Sequence, residues 1–196
     1  MSGGLASPSP GVAAPRPLAG RTVSVFGSST LRTHEPGWEL AEALGRALAR
    51  AGADVMTGGY GGAMEAVSQG ARSAGGHVVG VTVEIFPERS PNRHLSEQRH
   101  TATLLERLGV LLGADGFVVL DGSVGTLAEF FLAWNHVMFE APRRPLVCLG
   151  AGWPEKLRLL RDGRLVGEER LFELVEVAAD PADAVRRLGE RKGAGS

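Results

Sequence analysis

The stretch FVVLDGSVGTLAE, residues 117–129, decides the fold. Its apolar run Phe117 to Leu120 suits a strand buried on both faces, and such strands belong to parallel sheets covered by helices. The run stops at a junction holding Gly122 and Gly125, and a helical stretch from about Val124 to Glu140 follows. Strand, glycine junction and helix, in that order, make one unit of a parallel sheet. The pattern repeats on both sides. Upstream, TVSVFG (Thr22 to Gly27) reads as the first strand. WELAEALGRALARAG (Trp38 to Gly52) reads as a helix with Leu40, Ala43, Leu44, Ala47 and Leu48 on one face. ADVMTGG supplies a second strand, a helix spans about Gly62 to Ala74, and GHVVGVTV (Gly76 to Val83) is a third strand. Glu84 to Leu95, with Pro87, Pro91 and Asn92, reads as a long surface loop of the kind that covers sites. A helix from about Glu97 to Leu112 then leads into the 117–120 strand. Downstream come a fifth strand, RPLVCLG (Arg144 to Gly150), a short helix near Trp153 to Arg161, and an amphipathic stretch containing LFELVEV. A last helix opens at Asp180-Pro181, where Asp caps and Pro fits the first turn. Five strands separated by helices give an α/β fold, a Rossmann-like doubly wound parallel sheet with helices on both faces.

The chain has 196 residues, the size of one domain. With 43% hydrophobic and 22% charged residues it can bury a core, which excludes wholesale disorder. Residues 1–20 are rich in Pro, Ala, Ser and Gly without periodicity, so they are expected to form a flexible tail. Residues 21–191 are then the single nucleotide-binding domain, and 192–196 a flexible C-terminus. The net charge of -1 gives no drive toward nucleic acid or anionic membrane, and neither is an expected partner. No stretch approaches the ~20 apolar residues of a membrane span, and the N-terminus lacks the pattern of a signal peptide, so a cytoplasmic protein is expected. The single Cys148 excludes an intramolecular disulfide or a cysteine zinc cluster and reads as a buried, inert thiol.

Open parallel sheets bind ligands beyond the carboxyl ends of their strands, which directs attention to three junctions. They are FGSST, TGGYGGAME and LDGSVGTLAE. In the last, Gly122 and Gly125 let the backbone approach a ligand, and Ser123 and Thr126 add hydroxyls beside the free N–H groups of a helix start. Together these form a phosphate cradle favoured by the helix dipole. Glu129, three residues beyond Thr126, can face the same pocket, although Thr followed three residues later by Glu is also the mark of a capping box. Gly58, Gly59 and Gly62 surround Tyr60 ahead of Met64, a pattern that fits either a ligand site or a tight turn with close strand-to-helix packing. Gly27 and Ser28 are a weaker signal of the same kind. Neither junction carries GxGxxG, and the second strand lacks the terminal acid that holds an adenosine ribose, which disfavours a dinucleotide oxidoreductase. The absence of GxxxxGK[ST] argues against a P-loop NTPase.

The succession of FGSS, GGYGGAM with QGARSAGG behind it, and DGSVGTLAE resembles the LOG family, the cytokinin riboside 5'-monophosphate phosphoribohydrolases, often labelled lysine decarboxylase-like. The resemblance runs from about Val23 to Leu160. The family's Pro-Gly-Gly-x-Gly-Thr-x-x-Glu hallmark is matched at Gly122, Gly125, Thr126 and Glu129, and its GGxxGxM at Gly58, Gly59, Gly62 and Met64. Asp121 stands for the hallmark Pro and Ser123 for its second Gly, placing a negative charge and a side chain where a phosphate would approach. Family enzymes carry an Arg-Lys pair on the preceding helix; the nearest match is Glu106-Arg107, with Arg99 a second candidate on the same helix. The resemblance implies hydrolysis of the N-glycosidic bond of an AMP-like nucleoside 5'-monophosphate, without metal or other cofactor. Glu129 and Arg107 would be catalytic. Gly27, Ser28, Gly58, Gly59, Gly62, Met64, Gly122, Ser123, Gly125 and Thr126 would hold the nucleotide. It also implies a homodimer, and Trp134, Val137, Met138 and Phe139 form an apolar set that either packs on its own sheet or meets a second subunit. The alternative is a non-catalytic carrier or sensor of a phosphorylated ligand, resembling the molybdenum cofactor carrier proteins.

Overall fold

Successive side chains of a strand point to opposite faces, so a strand apolar at every position must be covered twice. The computed structural model, which describes residues 16–140 and 143–190, meets this demand with two cores. Its strands are β1 (Thr22–Phe26), β2 (Asp54–Thr57), β3 (Val78–Val83), β4 (Glu97–Thr101), β5 (Gly116–Leu120), β6 (Leu146–Leu149) and β7 (Val175–Ala178). Its helices are α1 (Pro36–Arg50), α2 (Ala63–Ser73), α3 (Leu104–Leu112), α4 (Val124–Phe139), α5 (Trp153–Asp162) and α6 (Pro181–Gly189), with a 3-10 turn at Glu169–Leu174. From β5, Val118 and Leu120 enter one core with residues of α1, α2 and α6. Phe117 and Val119 enter the other, with Leu111 of α3, Phe130 and Trp134 of α4 and Trp153 of α5.

All seven strands are parallel, in the order β4-β3-β2-β1-β5-β6-β7. The chain winds outward from β1 to β4 and then returns to place β5 on the other side of β1, with Phe26 opposite Val119. This reversal parts the loops after β1 and β5 and opens a crevice at the carboxyl edge, the position where such sheets bind ligands. The doubly wound fold read from the sequence is therefore present.

Three details depart from the sequence reading. The sheet has seven strands, not five, because Glu97–Thr101 and Val175–Ala178 are strands. EQRHT carries no apolar periodicity to announce a strand. It forms an exposed edge, held to β3 through Thr101 Oγ1 to Thr82 O at 2.9 Å and Gln98 Nε2 to Thr82 Oγ1 at 2.9 Å. The helix expected from Glu97 accordingly begins only at Leu104. Leu18, assigned to the tail, is fully buried and donates its N–H to Ala51 O at 2.9 Å, so the packed chain begins before Arg21. The remainder of the expected tail, residues 1–15, and the C-terminal 192–196 lie outside the described residues. Among the described residues no helix is long and apolar enough to cross a membrane.

Candidate functional site

Three helices, α2, α3 and α4, and the junctions after β1, β2 and β5 converge on the crevice. The β5–α4 junction sets its floor: Ser123 is the N-cap of α4, and its carbonyl accepts the first helical bond, from Leu127 N–H at 3.0 Å. No side chain caps this end. The N–H groups of Val124, Gly125 and Thr126 thus have no helical partner, and the positive end of the α4 dipole is open. The resulting cleft, about 210 Å³, is lined by Gly27, Met64, Arg107, Ser123, Gly125, Thr126 and Glu129 from the sequence-derived set. Ser29, Tyr60, Phe86, Arg89, Leu104, Leu108 and Ala128 complete the lining.

At its centre Arg107 Nη1 donates to Glu129 Oε1 at 3.3 Å, with the two side chains only 8% and 15% exposed. Arg107 is held from behind by a bond from its Nε to Val81 O at 2.8 Å. Burial pushes the Glu129 carboxyl above the ordinary glutamate range, and the adjacent guanidinium offsets only part of that rise. A carboxylate so placed is poorly solvated, which strengthens its interaction with any positive charge that develops beside it.

The remaining predicted residues build the cleft from behind. A Cβ on Gly58 would lie 1.9 Å from Arg107 Nη2 and 2.6 Å from Met64 Sδ, so only glycine leaves room for the arginine. Gly62 caps α2 at φ +70°, and its missing Cβ would fall 2.4 Å from Ser28 O. Ser28 itself does not line the cleft; its carbonyl accepts from Ala63 N–H at 2.7 Å, tying the first junction to α2. Gly59 donates to Thr57 Oγ1 at 3.1 Å, and Gly122 packs under Thr126. At Gly125 a Cβ would meet no atom of the chain, so that space is available to a ligand.

Several sequence expectations are revised. Thr126 and Glu129 do not form a capping box, because both lie inside α4 and Glu129 is turned to Arg107. Arg99 is not on the helix of Arg107; it sits on exposed β4, paired to Glu97 at 2.7 Å. The charge of Asp121 does not enter the cleft. Its Oδ2 accepts from Gly152 N–H at 3.1 Å and its Oδ1 from Lys156 Nζ, so the carboxylate is spent at the start of α5. Trp134 and Val137 are buried in their own core, whereas Phe139 is 76% exposed. Cys148 is buried on β6, where desolvation raises its thiol far above the usual range and keeps it protonated.

Sequence reasoning marks 84–95 as a loop that covers a site but names none of the residues that form the cleft's outer wall. The glycines around Tyr60 draw attention away from its ring; its hydroxyl donates to Val83 O at 3.1 Å and accepts from Val83 N–H at 2.9 Å, which locks the ring. Phe86 and Arg89 belong to the loop after β3, whose irregular composition carries no periodic signal. Among the described residues no group of three or more His, Cys, Asp or Glu is placed to hold a metal ion.

Comparison with known proteins gives the chain a family and its fold solved counterparts. The model of the SLOG cluster4 family matches residues 20–150. The cytokinin riboside 5'-monophosphate phosphoribohydrolase of Mycobacterium tuberculosis is 36% identical over 129 residues, 64% of this chain and 68% of that protein. Its namesake from Mycobacterium marinum is 39% identical over 118 residues, 59% of this chain and 63% of that protein. Among solved structures, the Moco carrier protein from Chlamydomonas reinhardtii superposes with a TM-score of 0.64 at 28% identity, covering 85% of this chain and 93% of that one.

Proposed function

The chain belongs to the SLOG cluster4 family, and from that premise we propose that it hydrolyses the N-glycosidic bond of a nucleoside 5'-monophosphate, releasing the free base and ribose 5-phosphate. The observation that carries this reading is the buried Glu129–Arg107 pair facing a cleft beside the open N-terminus of α4. In such a reaction the bond from C1' to the base breaks ahead of attack, and positive charge gathers on the sugar. The Glu129 carboxylate stabilises that charge and orients a water, whose oxygen bonds to C1' while the proton it loses balances the one that the departing base takes up. Arg107 holds Glu129 in place and favours its ionised form, offsetting part of the effect of burial. The backbone N–H groups at the start of α4 and the Ser123 hydroxyl receive the phosphate.

A carrier that binds a phosphorylated ligand without turning it over is the second reading, favoured by the likeness to the Chlamydomonas Moco carrier protein over most of both chains. Incubation with AMP and related monophosphates separates the two: free base supports the hydrolase, and saturable binding without product supports the carrier. A homodimer goes with either reading. Val124, Phe131, Leu132 and Phe139 leave an exposed apolar stripe along α4, and light scattering at micromolar protein should return the mass of two chains.

A further inference from the structure

Two arginines and one glutamate line the cleft: Arg89, Arg107 and Glu129. Arg107 and Glu129 answer each other, leaving Arg89 as the cleft's uncompensated charge. Among the described residues no carboxylate lies within ion-pair distance of it. Its guanidinium is seated instead on aromatic rings, 4.6 Å from the Phe86 centroid and 6.0 Å from that of Tyr60. Those rings are fixed: they meet edge-on at 6.0 Å, and Tyr60 is tied to Val83 by both bonds of its hydroxyl. The loop that carries Arg89 is anchored as well. Asn92 donates its backbone N–H to Gly59 O at 2.8 Å and its side-chain amide to Tyr60 O at 3.0 Å, and Arg89 N–H closes a turn onto Phe86 O at 3.0 Å.

An arginine stacked on aromatics loses hydration from its faces while its in-plane N–H donors stay free, which suits a bidentate oxyanion. We propose that Arg89 is a phosphate-binding residue of this cleft, closing on the ligand's phosphomonoester from the loop side. Charge also fixes the ligand's direction. The Glu129 carboxylate repels a phosphate and attracts a developing cation, so the phosphate lies toward Arg89 and the start of α4 while the reacting sugar carbon lies toward Glu129. The orientation rests on the hydrolase reading; the anion site itself does not.

Calorimetric titration of AMP, adenosine and ribose 5-phosphate into the wild-type protein, Arg89→Ala and Arg89→Lys tests the assignment. Arg89→Ala should weaken AMP and ribose 5-phosphate by about tenfold or more and leave adenosine unaffected, since only the first two carry the anion. Arg89→Lys should recover part of the loss, and the melting temperature of both variants should stay at the wild-type value because the side chain is exposed. Equal losses for AMP and adenosine would make Arg89 a wall for the base, and unchanged AMP binding would remove it from the site; either overturns the proposal. Arg89-dependent binding of ribose 5-phosphate in a protein that releases no base from any monophosphate would keep the anion site and refute the hydrolase. Failure to bind any of the phosphomonoesters would refute both.

Discussion

The chain contains the spacing Thr-x-x-Glu at the start of two neighbouring helices, Thr103–Glu106 on α3 and Thr126–Glu129 on α4, with opposite outcomes. At α3 the box closes. Thr103 is the N-cap, its hydroxyl accepts from Glu106 N–H at 3.2 Å, and Glu106 Oε2 accepts from Thr103 N–H at 3.3 Å. At α4 the helix begins three residues earlier, at Ser123, so Thr126 lies buried within the first turn and Glu129 is free to turn to Arg107. A capping box works only where Thr stands at the boundary with extended backbone. Once the Thr is inside the helix its Glu has no orphan N–H to serve. One helix end is consequently sealed and structural, and the other is left open to the cleft.

The comparison is tested most severely at Glu129. Glu129→Gln keeps the size and a hydrogen-bonding end but removes the charge, and turnover should fall by roughly two or more orders of magnitude, the scale of losing a well-placed electrostatic group. Thermal stability should hold or rise, because a desolvated charge has been removed. A mutant with wild-type turnover would return Glu129 to a structural role. The assay is base release at saturating nucleoside monophosphate.

The pH profile gives the next effect. Glu129 must be ionised to act, and burial holds its folded pKa above the ordinary value, so the acid limb of kcat/KM should lie above the normal glutamate range. Arg107→Met removes the offsetting cation; the limb should move to still higher pH, with about a tenfold loss of rate near neutrality. Stability runs the opposite way. A raised folded pKa means that this residue's contribution is fully present below its unfolded pKa and is lost as pH rises through the folded one. Melting curves of wild type and Glu129→Gln should therefore diverge in favour of the variant as pH increases through that window.

The sealed helix end should respond in stability and not in chemistry. Thr103→Val loses the cap and should cost about 1 kcal/mol, seen as a fall in melting temperature of roughly 2–4 °C for a chain of this size. Base release should continue. The smallest effect is expected at the matching position on α4: Thr126→Val keeps the buried shape and breaks no cap, so denaturant titration should show a change below about 0.5 kcal/mol. A loss as large as that at Thr103 would mean that the two boxes are alike after all.

Much of the fold was legible because its signals are local. The apolar runs of β1, β3, β5 and β6 and the periodicity of α1 mark themselves over a few consecutive residues. Asp180 caps α6 as expected, its Oδ1 accepting from Asp183 N–H at 2.8 Å. Edge strand β4 was not legible, since its exposed polar side chains satisfy no core and only pairing with β3 makes it a strand. Arg99 was misplaced with it.

Hydrophobic period and glycine chemistry are properties of contiguous chain, so the doubly wound sheet and the glycine junctions at its carboxyl edge could be read directly, and the family resemblance of those junctions singled out Glu129 and Arg107. Only the tertiary structure decided that Glu129 meets Arg107 across 22 residues, that Gly58 serves the arginine, that Asp121 turns to Lys156 and Gly152, and that Arg89 reaches the cleft on an aromatic seat. The physical reason is that a side chain's charge is written in the sequence, whereas its solvation and its partner are set by whatever the fold brings against it.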